Sequence, residues 1–272
     1  GMLRLGLGLV DPPRVSPVTV AVGLRDRNAP VFNLEQLAKA DRQRSVILLS
    51  DCFTTTYEAP LVLATYDLLK QLGLEVYVSP PIATGKPLHV MGFLDEFAAV
   101  VQRNLVYLDQ LQQFGIPTIG IEPSMVLTYR YDYAQADRGS PLTIQLPQEF
   151  LLGQGDRFGR SVQHSTYRLL GHCTEKTLAS AALRQWQQVF QFAGLSLEPV
   201  ETGCCGMAGI YGYEADHWEM SQGIYQLSWG QHLPTVPELR SVYLATGFSC
   251  RTQVQRLAGW RPLHPIQALQ QA

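Results

Sequence analysis

The chain carries an internal duplication, and that narrows the choice of fold more than anything else in it. Cys52 precedes Gly73 by 21 residues, Cys173 precedes Gly194 by the same 21, and each glycine is followed by a leucine, Leu74 and Leu195. Gly85 stands 33 residues after Cys52, and Gly206 stands 33 after Cys173. Three landmarks thus recur at one offset, 121, without slippage. In a chain with 23 glycines a single match means little, but three at a common offset mark a repeated unit.

The unit alternates strands and helices. In the first copy, the apolar run Ser45–Ser50 reads as a buried strand, and residues 57–72 have helical periodicity that Gly73 closes as a C-cap. Leu74–Val78 is the next strand, residues 92–114 form an amphipathic helix ended by Gly115 and Pro117, Thr118–Ile121 is a third strand, and Pro123-Ser124 opens another helix. The second copy keeps this order: strand 167–170, helix 175–192, strand 195–200, helical residues 212–226, strand 241–245 and helix 251–257. Such alternation predicts an α/β fold of two duplicated βαβ-type lobes with parallel sheets, related by pseudo-twofold symmetry. The division expected is a lead-in over 1–44, a first repeat over 45–136, a linker over 137–163 and a second repeat over 164–272. The linker is placed where Gly139, Pro141, Pro147, Gly153 and Gly155 accumulate.

Composition rules out several roles. A net charge of −2 and the lack of a dense Lys/Arg block argue against nucleic acid. No apolar run approaches the length needed to span a bilayer. The opening residues 3–10 are too short and too glycine-rich for a signal peptide, and Gly1 ahead of Met2 reads as a protease scar. Five cysteines in 272 residues do not resemble a secreted disulfide framework, so a reducing, cytoplasmic compartment is expected.

Four of those cysteines fall after three successive strands of the second repeat: Cys173, the vicinal pair Cys204-Cys205, and Cys250. In parallel α/β lobes the strand ends form one edge, where functional groups gather. Four thiols converging there suit an iron–sulfur cluster. Zinc is a sharp rival for a four-thiolate site, although the spacing departs from paired C-x₂-C knuckles. A disulfide between Cys250 and one of the vicinal pair, or simple burial, is the plainer reading. Helix N-termini at Cys173 and Cys250 would lower those thiol pKa values. Gly203 and Gly206 give the vicinal pair room and positive φ.

These motifs bring a resemblance into view. His172-Cys173, Thr202-Gly203-Cys204-Cys205-Gly206-Met207-Ala208-Gly209 and Gly247-Phe248-Ser249-Cys250-Arg251 resemble the cysteine-rich "CCG" domain family. That family includes heterodisulfide reductase B-type subunits and the iron–sulfur subunits of glycolate oxidase and anaerobic glycerol-3-phosphate dehydrogenase, together with lactate-utilisation proteins. Residues 206–221, with Tyr211-Gly212-Tyr213-Glu214-Ala215-Asp216-His217, are most similar to the C-terminal part of large FAD-linked D-2-hydroxyacid (D-lactate) dehydrogenases. The likeness extends over nearly the whole chain, including residues 8–32.

The resemblance implies that Cys173, Cys204, Cys205 and Cys250 ligate a cluster, with [4Fe-4S] the expected type and zinc the alternative. Gly206 would shape the turn, and His172 would either hydrogen-bond to the cluster or cap a helix. The first repeat would be a degenerate copy. Cys52 is kept, but Ala83-Thr84-Gly85 replaces the vicinal pair and its glycine, and Ser124-Met125 stands where Ser-Cys is expected. No metal is expected there. Read from the residues themselves, Tyr213, Glu214 and His217 would share one helical face beside the CCG turn, as a docking surface, a substrate path or exposed decoration; Lys86 would be a solvated lysine or else contact a partner or anion; and His264-Pro265 would be structural.

The function implied is an iron–sulfur electron-transfer domain of an oxidoreductase that oxidises lactate, glycolate or 2-hydroxyglutarate and passes electrons to a quinone or other acceptor. FAD would sit on a separate domain or subunit, beside a ferredoxin-like iron–sulfur domain, so this chain alone would not oxidise substrate. A structural zinc domain mediating subunit association, and heterodisulfide reductase-like thiol chemistry, are the other readings. Association with the membrane would be peripheral, at its inner face.

Overall fold

The computed structural model describes residues 8–138, 142–161 and 165–272, with residues 137 and 138 described by their backbone alone. Residues 3–7 of the opening segment, and Gly139, Pro141 and Gln163 of the expected linker, lie outside the described residues. The chain divides into two compact units, one formed by Val15–Phe158 and the other by the described residues of Gly1–Arg14 and Gly159–Ala272. They are called here the first and second lobes.

The first lobe is built on a four-stranded sheet of order β2-β1-β3-β4, with β1 Ser45–Leu49, β2 Glu75–Val78, β3 Thr118–Gly120 and β4 Ile144–Gln145. Each neighbouring pair is parallel. All five residues of β1 are buried, as a strand covered on both faces requires, which is why it reads as an unbroken apolar run. The second lobe has a three-stranded parallel sheet of order β6-β5-β7, with β5 Thr166–Leu170, β6 Ser196–Val200 and β7 Tyr243–Ala245. Pro199 is tolerated in β6 because that strand pairs only with β5, leaving an edge that needs no donor. An α/β architecture with two parallel sheets is therefore what the sequence pattern leads to.

The repeat persists in backbone detail. After β1, a helix over Cys52–Tyr57 breaks at Glu58 (φ −135°, ψ 41°) and resumes over Ala59–Gln71. After β5, a helix over Cys173–Leu178 breaks at Ala179 (φ −131°, ψ 64°) and resumes over Ala182–Phe192. Gly73 and Gly194 close the longer helices at φ +75° and +74°, and Gly85 and Gly206 turn at φ +76° and +84°. Each of these pairs lies 121 residues apart. The breaks correct the expectation of single helices over 57–72 and 175–192, and both helices begin earlier, at the cysteine.

Other boundaries also shift. The helix expected over 92–114 spans Leu94–Gln113. Residues 212–226 are not one helix: the 3₁₀ turns Tyr211–Tyr213 and Ala215–His217 precede a helix over Trp218–Ser228. A 3₁₀ segment, Pro237–Val242, leads into β7. The stretch expected to be the linker carries β4, which pairs with β3 in the first sheet, and a helix over Pro147–Leu152. The lead-in divides. The helix Val20–Asp26 belongs to the first lobe, where a Cβ on Gly23 would fall 2.3 Å from Leu63 Cδ1. Residues 8–10 instead join the second lobe: Leu9 pairs antiparallel with Glu214, and the Val10 amide donates to Tyr213 O at 2.7 Å.

The second-lobe core is anchored by Trp186, Trp229 and Val254, all fully buried. Trp186 meets His264 edge-on, with centroids 5.7 Å apart. His264 is itself buried, and its Nδ1 accepts from the Ile266 amide at 3.1 Å at the start of the helix Pro265–Gln271. Burial, with the nearby Arg251 guanidinium, pushes its pKa well below the usual value of 6.5. The folded state therefore holds this imidazole neutral, whereas the unfolded chain protonates it below about pH 6.5. Its contribution is full above that pH and is lost as pH falls. We expect urea unfolding of the protein to show a decline in stability from pH 7 to pH 5, and the decline to be shallower in His264→Asn.

Candidate functional site

In each sheet the first strand lies in the middle and the chain crosses to one neighbour and then the other, so three loops meet beyond its C-terminal end. In the second lobe these loops carry His172-Cys173 after β5, Gly203–Gly206 after β6 and Gly247–Cys250 after β7. All four thiols are free, Cys173 and Cys204 partly exposed, Cys205 and Cys250 buried. The Cys173 and Cys204 side chains are in hydrogen-bonding contact, as are Cys204 with Cys205 and Cys205 with Cys250. The residues singled out in the sequence are thus brought together as a row of sulfurs.

Neighbouring thiols push one another's pKa values in opposite directions. Cys204 receives hydrogen bonds from Cys173 and then Cys205, and the Gly206 amide donates to its sulfur at 3.3 Å, so its pKa falls. Cys173 is pushed up, first by donating to Cys204 and then by burial. Cys205 rises well above its ordinary value through its bonds to Cys204 and Cys250 and its burial. The expectation that a helix N-terminus would lower Cys173 is therefore corrected. The neighbouring Cys204 sulfur is the largest influence on it, followed by burial.

Two glycines make the convergence possible. A Cβ on Gly206 would fall 2.3 Å from Ser221 O, and the residue sits at φ +84°. A Cβ on Gly247 would fall 2.2 Å from His172 Cδ2 and 3.2 Å from Cys250 Sγ. Gly203, by contrast, needs no positive φ. Its role is a close approach, with its amide donating to Ser228 Oγ at 2.5 Å and its carbonyl accepting from Trp229 Nε1 at 3.2 Å. Ser221 Oγ donates to Gly206 O at 2.7 Å and accepts from Gln253 Nε2 at 2.9 Å. Ser221, Tyr225, Ser228 and Trp229 recur at helical spacing along one face, a signal that would have found this brace from sequence.

His172 is the N-cap residue of the helix Cys173–Leu178, as the capping alternative has it, although its side chain accepts from no backbone amide there. Its ring is buried, Nε2 lies 3.3 Å from Ser249 Oγ, Nδ1 is buried without a partner, and burial pushes its pKa down to about 4. The loop after β7 is fixed by residues that the sequence reading passed over. The His172 amide donates to Thr246 Oγ1 at 2.9 Å, Thr246 Oγ1 donates to the buried Glu175, and Arg251 Nη1 donates to Ala245 O and Thr246 O. Lys176 Nζ donates to Thr202 O, holding the strand end ahead of the vicinal pair.

Tyr213, Glu214 and His217 do not share a helical face. Tyr213 is buried with the Arg256 guanidinium 4.8 Å from its ring centroid, while Glu214 Oε2 lies 2.7 Å from His217 Nδ1 in a partly exposed pair. Nor is Lys86 a solvated lysine, because it pairs with Asp132 at 2.6 Å. In the first lobe, the equivalent loops present Cys52, Ala83-Thr84-Gly85 and Met125, and Thr84 Oγ1 lies 3.1 Å from Met125 Sδ.

Among the described residues, no group of three or more His, Cys, Asp or Glu side chains is arranged to hold a metal ion. Four thiols from three strand ends are the donor set that either a zinc ion or a four-iron cluster would use.

The architecture is that of a duplicated α/β domain whose second copy presents a thiol row at its strand C-terminal edge. No family model matches the chain. The chain is 41% identical over 270 residues to the D-2-hydroxyglutarate dehydrogenase of Pseudomonas putida, a match covering 97% of this chain and 26% of that protein. It is 37% identical over 270 residues to the Escherichia coli enzyme of the same name, with the same coverage. The Haemophilus influenzae D-2-hydroxyglutarate dehydrogenase is 30% identical over 277 residues, covering 97% of this chain and 27% of that protein. The chain therefore spans about a quarter of the length of these relatives. Among the described residues, no helix is long and apolar enough to cross a membrane.

Gly206→Ala is expected to cost about 1–2 kcal/mol from the left-handed backbone alone, with more from displacement of Ser221. Gly223→Ala, where a Cβ meets nothing within 4 Å, should instead be neutral or gain about 0.4–1 kcal/mol by restricting the unfolded chain. Urea unfolding of the two variants measures the contrast.

Proposed function

We propose that Cys173, Cys204, Cys205 and Cys250 hold an iron–sulfur cluster of the [4Fe-4S] type. The chain is then the electron-transfer domain of a flavin-linked D-2-hydroxyacid dehydrogenase of the CCG-containing kind. The single observation that carries this reading is the convergence of four free thiols from three strand ends at one sheet edge. Bound there, such a cluster would supply a one-electron relay. The relatives' shared name makes D-2-hydroxyglutarate the proposed substrate of the whole protein, with FAD on a part outside this chain. The low thiol pKa at Cys204 supports ligation, since the ligand is the thiolate.

The protein's own residues divide the work. Cys205 and Cys250 lie in a core with Leu170, Met207, Tyr225 and Trp229, which keeps water from the inner side. Cys173 and Cys204 face outward. The Gly206 amide, 3.3 Å from Cys204 Sγ, is placed to hydrogen-bond a ligand sulfur, one of the levers that sets a cluster's potential.

Anaerobic reconstitution with iron and sulfide should give a coloured protein with a paramagnetic signal on reduction, and metal analysis should find iron in place of zinc. Cys250→Ala should lose most of that signal. A colourless anaerobic protein with stoichiometric zinc would overturn the reading, and a full signal in Cys250→Ala would overturn the ligand assignment.

A further inference from the structure

The first lobe has a cavity of about 300 Å³ where the loops after β1, β2 and β3 meet, lined by Cys52, Phe53, Ile82, Leu88, Val100 and Met125 among others. It occupies the place at which the second lobe carries its thiol row. Its chemistry is different. No charged side chain lines it. The one hydroxyl in the wall, Thr84 Oγ1, is already taken up by Met125 Sδ at 3.1 Å and by the Lys86 amide at 3.2 Å. Lys86 Nζ, the nearest cation in sequence, is committed to Asp132 at 2.6 Å. An anion finds no partner here, and a cluster finds one thiol.

The walls are held in place without a ligand. Asn104 Nδ2 donates to Ala83 O and to Tyr133 OH, each at 2.8 Å, and Tyr133 OH donates to Thr84 O at 2.9 Å. Gly85 lets the loop lie against the helix Leu94–Gln113, since a Cβ there would meet Phe97 and Val100 at 3.0 Å. A preformed apolar recess at the switch point of a parallel sheet is where such folds bind small molecules. An apolar cavity of about 150 Å³ stays dry and accepts benzene, so twice that volume admits a substituted ring.

We propose that this cavity is a binding site for a small, uncharged, largely apolar organic molecule the size of a substituted benzene ring, with the Cys52 thiol at its mouth. The proposal goes beyond the electron-transfer role and does not depend on it. The test uses the full chain labelled at its methyl groups, with toluene as probe and benzoate as the charged counterpart. Toluene is expected to shift the methyl signals of Ile82, Leu88, Val100 and Met125 saturably, while benzoate leaves them in place. At ten times its dissociation constant, toluene should slow alkylation of Cys52 by N-ethylmaleimide about tenfold, since only the unliganded fraction reacts. Val100→Trp should abolish both effects, and Ala83→Leu provides a second filling variant if the first fails to fold. No saturable shift up to the solubility of toluene, equal shifts with benzoate, or full binding in a folded filling variant would each overturn the proposal. None of these readouts changes with the metal content of the second lobe.

Discussion

The thiol row depends on the parallel pairing of β5 with β6 on one side and β7 on the other. Because the three strands run the same way, their C-terminal ends form a single edge, and cysteines separated by as many as 77 residues in sequence meet there. The pairing does not suffice by itself. The loops must also approach within the reach of a sulfur, and that closeness is set by atoms that are missing: the absent Cβ of Gly206 against Ser221, and that of Gly247 against His172 and Cys250. A methyl group at either position would separate loops that the sheet has aligned.

The same scaffold serves two environments. In both lobes a short helix starts at a cysteine, breaks after six residues and resumes, and a left-handed glycine turns the next loop. One copy lines its recess with sulfur and the other with hydrocarbon. The chemistry at a strand edge is thus set by a few loop residues while the backbone stays the same.

Much of this was legible from the sequence because it is periodic or repeated. The strands of buried residues, the glycines that close helices and the offset of 121 all leave local signatures. The break at Ala179 left none, since it lies inside a stretch of helical periodicity without a glycine or proline, whereas the break at Glu58 is marked by Pro60 in the first turn of the resumed helix. β4 is two residues long within a proline- and glycine-rich stretch, too short for any alternation to show. The four candidate ligands were readable from spacing, but the upward shift at Cys173 was not. Cys173 carries the high pKa because of a sulfur that arrives from another strand, and nothing in its own neighbourhood announces that contact. The buried braces Glu175 and Arg251 were hidden for the opposite reason, since charged residues on a helix read as surface.

The short pairing of residues 8–10 with Tyr213–Ala215 gives the chain an unusual order of assembly. The first lobe is continuous over Val15–Phe158, whereas the second begins with a few residues ahead of it and is completed only by the chain after Gly159. A growing polypeptide therefore has every part of the hydrocarbon-lined lobe before it has any of the four second-lobe cysteines. Domains fold as units as synthesis proceeds, so the first lobe can take shape before the thiols are made, and residues 8–10 find their partners only once Tyr213–Ala215 have been added.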